Sequence, residues 1–158
     1  MILSIDPGNE KSAYTLIDEL LKPVDFGIMD NEELLGALAF KDFRAEHFAI
    51  EMIASYGMAV GKTVFDTVLW IGRFWQQADM PIKQLIYRKD VKMNLCHSMK
   101  AKDGNIRQAL IDRFGEVGIK KNPGWFYGFK SDIWSAYAVG ITYHDLYLAK
   151  TLKPPNVI

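Results

Sequence analysis

Short apolar runs broken by turn residues dominate the first third of the chain. Ile2 to Ile5 form an apolar-dominated run that ends at Asp6, Pro7 and Gly8. Pro7 cannot continue a central strand ladder and Gly8 permits a bend, so the pattern predicts a short strand that delivers the Asp6 carboxylate to its edge. Asn9 to Lys11 read as a turn, and Ser12 to Ile17 as a second strand hairpinned to the first. Val24 to Ile28 alternate apolar and polar positions, the period of a half-buried strand, which suggests an antiparallel meander of three strands. Asp30 and Asn31 offer an N-cap, with Glu32 and Glu33 in a first turn. Leu34, Leu35 and Leu38 then follow at helical spacing, predicting a helix that ends near Lys41. His47 to Ala54 is another strand-like run, with Glu51 embedded in it. Such a charge either faces solvent or, if buried, needs a partner or a metal.

The next stretch changes period. Met58 to Ala78 predicts about six turns of helix, with Val60, Val64, Val68, Ile71 and Trp75 on one face. Met58, Phe65, Leu69 and Trp70 widen the apolar surface, which fits burial on two sides or a dimer interface. Ile82 to Tyr87 predicts a strand, and Ile106 to Phe114 a helix closed by Gly115, with lysines near its start where phosphate could bind. Glu116 to Ser131 is expected to be a loop. Its Trp125, Phe126, Tyr127 and Phe129 either stack on bases or fold back into a satellite core. Ser131 to Tyr143 predicts a strongly apolar helix with Ser131 as N-cap and Asp132 in the first turn, where an acid can simply offset the helix dipole. Pro154 and Pro155 exclude a helix, so 151–158 is expected to be a tail on a single domain of residues 1–150.

Composition narrows the class. A chain of 158 residues, 49% of them apolar, supports one sizeable core. The single Cys96 excludes an intrachain disulfide and a cysteine-rich zinc site, and fits a reducing compartment. No apolar run reaches the roughly 20 residues of a membrane span, and the first residues lack the basic segment of a secretory signal, so a cytoplasmic protein is expected. The net charge of zero conceals a segregation. Residues 83–130 carry eleven Lys or Arg against four Asp or Glu, a balance of +7, and the remainder therefore carries −7. A basic third beside an acidic remainder suits a polyanion-binding surface next to an acidic metal site, or else a solvated positive face without a ligand.

Together the predicted order is β-β-β-α-β-α-β-α-α, with acids at the end of the first strand, on the fourth strand and at the start of the last helix. With Ile5 to Gly8 followed by a hairpin, Ala49 to Glu51 followed by the long helix, and Asp132 to Thr142 near the end, the chain resembles the ribonuclease H-like fold. Within it, the chain resembles the RuvC family of Holliday junction resolvases. The resemblance implies an α/β fold with a mixed five-stranded sheet and helices on both faces. It also implies a structure-selective endonuclease that resolves four-way junctions or other branched DNA, leaving 5′-phosphate and 3′-hydroxyl ends. Asp6, Glu51 and Asp132 then become the catalytic metal ligands, holding two Mg²⁺ ions for which Mn²⁺ substitutes; hard divalent ions prefer such carboxylate oxygens. Lys102, ahead of Lys92, becomes the cation near the scissile phosphate, and Tyr56 and Met58 residues at the junction centre. Arg88, Lys89, Lys92, Lys100, Lys102, Arg107, Lys120, Lys121 and Lys130 are the expected DNA contacts. Symmetric nicking implies a homodimer, formed through the helix Met58 to Ala78. The expected setting is the cytoplasm of a bacterial cell or a phage-infected host, the compact size being consistent with a phage-encoded protein.

One departure from the family pattern stands out. Where the family carries a further acid one turn after Asp132, this chain has Ser135. His144 and Asp145 lie more than two turns further on, about 15 Å along a helix, too far to compensate. The departure keeps open a branched-DNA-binding protein with weak or no catalysis. A sugar-kinase-like or actin-like ATPase also opens with an acid and glycine after a strand, but needs a duplicated domain and a second glycine-rich loop that this chain lacks.

Overall fold

The computed structural model describes residues 1–150, so the predicted tail 151–158 lies outside the described residues. Five strands form one mixed sheet: β1 (Ile2–Asp6), β2 (Lys11–Ile17), β3 (Pro23–Asp30), β4 (His47–Met52) and β5 (Ile82–Tyr87). Their spatial order is β3-β2-β1-β4-β5. The first three strands are the expected antiparallel meander, while β4 joins β1, and β5 joins β4, in parallel. Parallel neighbours require crossovers, and helices supply them. α1 (Asn31–Ala39) links β3 to β4, and α2 (Lys62–Gln77) links β4 to β5.

Helices cover both faces of the sheet. Leu3, Ile5, Phe48 and Ile50 pack with Leu34, Leu38, Ile71 and Phe74 of α1 and α2 in one core. Ile2, Ala13, Ile17 and Ala49 point the other way, into a second core built from α3 (Arg88–Cys96), α4 (Asp103–Phe114) and α5 (Ile133–Tyr143). Alternation along β1 and β4 therefore assigns Asp6 and Glu51 to the second face, beside Ile2 and Ala49.

The close seat of α5 on this face depends on small residues. A Cβ at Gly140 would stand 2.4 Å from Ile17 Cδ1 and 2.7 Å from Ser4 Oγ. Ser4 is itself buried and hydrogen-bonded to Thr15 Oγ1 at 2.6 Å. Ala136, fully buried, lies one turn before Gly140, and Asp132 one turn before that. The four-residue spacing puts all three on the stripe of the helix that meets the sheet.

Several boundaries differ from the sequence expectation. α2 begins at Lys62, so Val60 and Met58 lie in the preceding loop, and its buried face is Thr67, Ile71, Phe74 and Ala78. Val64, Val68 and Trp75 are only half-buried. α3 was not expected at all, for a physical reason: Val91 is its sole buried residue, so it carries no apolar period. α4 starts three residues early, at Asp103. The expected loop Glu116 to Ser131 contains a two-stranded hairpin, β6 (Gly118–Ile119) and β7 (Asn122–Pro123), with Lys120 and Lys121 at its tip. Gly118 has a φ of +74°, and a Cβ there would meet the backbone of Gly124 at 2.2 Å, so the hairpin needs glycine at that point. The loop aromatics fold inward. Phe126 is fully buried against Phe129, Trp134 and Tyr137, and Trp125 stacks on Phe114. Of the four, only Tyr127 is exposed.

α5 continues into a π-helical turn (His144–Leu148). Asp145 there accepts hydrogen bonds from Arg113 at 2.6 and 2.9 Å and from Asn94 at 2.8 Å, tying α3, α4 and α5 together. Among the described residues no helix is long and apolar enough to cross a membrane.

Gly140→Ala tests the seat of α5. Alanine gains about 1 kcal/mol of helix propensity over glycine, while overpacking a tight contact costs about 1–3 kcal/mol. The expected outcome is a lower urea midpoint with an unchanged denaturant slope.

Candidate active site at the carboxyl edge of the sheet

The parallel register pairs Ile5 with Ile50, so the next residues, Asp6 and Glu51, emerge side by side where β1 and β4 end. Their carboxyl groups are within hydrogen-bonding contact. Burial, followed by the charges of Glu51 and Asp132, raises the Asp6 carboxyl well above the usual carboxylate range. Burial also raises Glu51, against the pull of the Arg88 guanidinium. Two adjacent desolvated carboxyls cannot both ionise without a compensating cation. Oxygen-only donors in this state suit a hard divalent ion.

A small network fixes the turn that presents Asp6. Ser12 Oγ donates to Asn31 Oδ1 at 2.6 Å, Asn31 Nδ2 donates to the Gly8 carbonyl at 2.8 Å, and the Gly8 amide donates to Ser12 Oγ at 3.1 Å. A Cβ at Gly8 would stand 2.2 Å from the Lys11 carbonyl, so the turn closes only around glycine. Asn31 was expected as a possible helix cap; instead it is 2% exposed and braces the Asp6 turn. Nothing in its local sequence marks this role, because its partners lie 19 and 23 positions away.

Asp132 enters from α5. The sequence suggested Ser131 as N-cap and Asp132 in the first turn, but the N-cap position is Asp132 itself, and its side chain makes no capping hydrogen bond. An acid there still offsets the helix dipole, but it adds no capping hydrogen bond. Ser131 sits at a φ of +47°, an uncommon left-handed conformation for serine, and turns the chain into the helix. Asp132 is exposed at the rim of a cavity of about 320 Å³ that Ser135, Arg88, Asp103 and Arg107 also line. Ser135 thus occupies the same wall as Asp132. No group of three or more His, Cys, Asp or Glu side chains close enough to hold one metal ion occurs among the described residues. The arrangement is a contacting pair, Asp6 and Glu51, with Asp132 acting on Asp6 from further off.

Arg88 and Lys92, four residues apart on α3, are the cations that act on Glu51, and Arg88 acts on Asp6 as well. Lys102 is exposed immediately before α4, its amide held by Asn105 Oδ1 at 2.9 Å. Lys89, Lys100, Lys120, Lys121 and Lys130 are exposed, and Arg107 lies over the Trp134 ring at 4.6 Å. Two further cations of the basic third serve structure: Lys83 donates to the Trp75 carbonyl at 2.8 Å, and Arg113 holds Asp145. Tyr56 and Met58 are 63% and 73% exposed in the turn after β4, where Tyr56 has a φ of +50°. Asp145 and His144 are engaged with Arg113 and with each other.

Comparison with solved structures places the fold. The RuvC protein of Thermus thermophilus in complex with a Holliday junction substrate superposes with a TM-score of 0.69 at 16% identity, covering 95% of this chain and 95% of that one. A second Thermus thermophilus RuvC structure gives 0.65 at 17% identity, covering 95% and 96%. The chain has the RuvC-type, ribonuclease H-like fold. No protein-family model matches the sequence, and no curated protein matches it.

The strained pair predicts a stability effect without metal. A carboxyl whose folded-state pKa is raised contributes stability in acid that is lost as pH rises through that value. Asn in place of Asp6 can still donate to Glu51 but carries no charge. Asp6→Asn in EDTA is therefore expected to melt a few degrees higher at neutral pH, about 2–4 °C per kcal/mol. Its melting temperature should also depend less on pH; a lower melting temperature at neutral pH would refute the account.

Proposed function

We propose that this chain is a structure-selective DNA endonuclease that resolves four-way junctions or other branched DNA, cutting to leave 5′-phosphate and 3′-hydroxyl ends. The observation that carries the reading is the half-buried Asp6 and Glu51 carboxyl pair on neighbouring parallel strands, with Asp132 acting on it from further off and the cations Arg88 and Lys92 of α3 drawing it toward its charged form. A structural role accounts poorly for this pair, because removing two like-charged groups from water lowers stability. A charge-bearing ligand accounts for it directly.

Asp6, Glu51 and Asp132 would hold two divalent ions, Mg²⁺ with Mn²⁺ as a substitute. When bound, such ions supply an activated water and neutralise charge on the pentacovalent phosphorus and the leaving 3′ oxygen. The chain's own contribution is to place the carboxylates. β1 and β4 fix Asp6 and Glu51 to rigid strand ends, and α5 carries Asp132 on its sheet-facing stripe. Arg88 and Lys92 approach from α3 to steady anionic oxygens, with Lys102 available at the head of α4. Lys89, Lys100, Arg107, Lys120, Lys121 and Lys130 spread positive charge around this edge for backbone phosphates. Tyr56 and Met58 project apolar surface from the turn after β4, suited to insertion where base stacking is interrupted.

Two symmetric nicks require two sites, so the active form is proposed to be a homodimer. Phe65 and Leu69 are 63% and 65% exposed on the outer face of α2, apolar surface that a second copy would cover. Leu69→Glu is expected to shift the protein to monomer in analytical ultracentrifugation, leaving far-UV circular dichroism unchanged. The cytoplasm of a bacterial or phage-infected cell is the proposed setting.

A second reading, a branched-DNA-binding protein with weak or no catalysis, draws on Ser135 facing the cavity where the resemblance calls for an acid. Nicking and gel-shift assays on a four-way junction separate the two. Cleavage in Mg²⁺ or Mn²⁺ is expected. Asp6→Asn should lower it by at least about a hundredfold, on the order of one strongly used catalytic group, while junction binding in Ca²⁺ persists. Binding without any cleavage in either ion would favour the second reading, and undiminished cleavage by Asp6→Asn would refute the site.

A further inference from the structure

We infer that Arg88 is the side chain that takes hold of an entering phosphate, and that Asp103 holds Arg88 in reserve until one arrives. The substrate side of this inference rests on the endonuclease reading; the exchange between Asp103 and phosphate does not.

Arg88 is the first residue of α3, the end of a helix where the dipole disfavours a cation. Asp103 is the first residue of α4, where the dipole favours an anion. Helix stability thus explains Asp103 and leaves Arg88 unexplained. The two residues form an ion pair across the cavity wall, and Asp132 and Ser135 line the same space. The Arg88 side chain is 28% exposed and the Asp103 side chain 83%. One partner is nearly free in water, and ion pairs of this kind hold weakly.

Arg88 also draws the Asp6 and Glu51 carboxyls toward their charged forms, so the one guanidinium serves both the acidic pair and the solvent-facing Asp103. Arg107, the other arginine of the cavity, already lies over Trp134. A planar guanidinium receives a phosphodiester in the same forked geometry that it offers a carboxylate. An entering phosphate therefore replaces Asp103 on Arg88, and the released carboxylate turns to water without breaking any packing. Until then Asp103 presents a negative charge to every approaching phosphate. It sets a threshold that DNA anchored elsewhere on the basic surface can pass, and a loosely held strand cannot.

Inorganic phosphate is the direct probe, read at the Arg88 side-chain Nε–H signal by NMR and assigned by its loss in Arg88→Lys. Asp103→Asn is expected to lower the phosphate concentration at half-shift about three- to fivefold, the size of one exposed ion pair. In the Arg88→Lys background, where phosphate is followed instead at the backbone amide signals of Asp103 and Ser135, Asp103→Asn should change phosphate binding far less, because the two act as a unit. Equal phosphate response in wild type and Asp103→Asn overturns the exchange, as does a wild-type Arg88 signal that ignores phosphate. Gel shifts in Ca²⁺ with a four-way junction and a linear duplex test the other half. The expected phosphate response with no preference for the junction would sink the endonuclease reading and keep the exchange. Junction preference with a phosphate response indifferent to Asp103 would do the reverse.

Discussion

Two neighbouring carboxyl groups, half-buried at the ends of two parallel strands, are the constraint around which this molecule is arranged. Neither β1 nor β4 gains stability from them. Their neighbours answer the charge at successive distances. Arg88 draws both Glu51 and Asp6 toward their charged forms, and Asp103 pairs with Arg88 on the solvent side. The backbone is committed to the same end: Gly8 is needed for the turn that shows Asp6, Asn31 braces that turn from the start of α1, and Gly140 lets α5 close on the sheet. These three residues share one geometric purpose, although they come from a turn and two separate helices.

Much of this was legible in the sequence because it is written in local patterns. Alternation and turn chemistry place β1 to β3, and the short apolar runs around Glu51 and Leu85 place the parallel strands. Three acids at the edges of such elements carried the resemblance to a nuclease fold. What was not legible depends on distant partners or lacks an apolar period. α3 buries only Val91 completely and leaves most of its residues half-buried, so it shows no apolar stripe at helical spacing. Asn31 reads as a cap until Ser12 and Gly8 are folded against it. The inward turn of Trp125 and Phe126 was undecidable from composition, because an aromatic loop serves bases and cores equally well; Phe114 and Tyr137 decide it.

The basic third proves to be two populations. Arg113 and Lys83 are absorbed into the scaffold, one by a carboxylate at the π-helical turn and the other by a carbonyl and an indole face. The rest lie at or near the surface, on α3, on the hairpin after α4 and in the loops before α4 and α5, with Arg107 alone on α4. A count of charges along the chain could not separate these groups, because burial and partner identity, rather than residue type, assign each one.

Asp6 and Asp132 stand at nearly opposite ends of the described chain, and this distance has a consequence during synthesis. A ribosome releases β1, β4 and α3 well before α5. Until α5 seats itself through Ala136 and Gly140, the nascent protein has two of its three acids and no cavity beside them. The last large helix to emerge is thus the one that completes the site. A protein proposed to cut DNA would in this way be kept harmless by the order of its own translation, without any separate inhibitor.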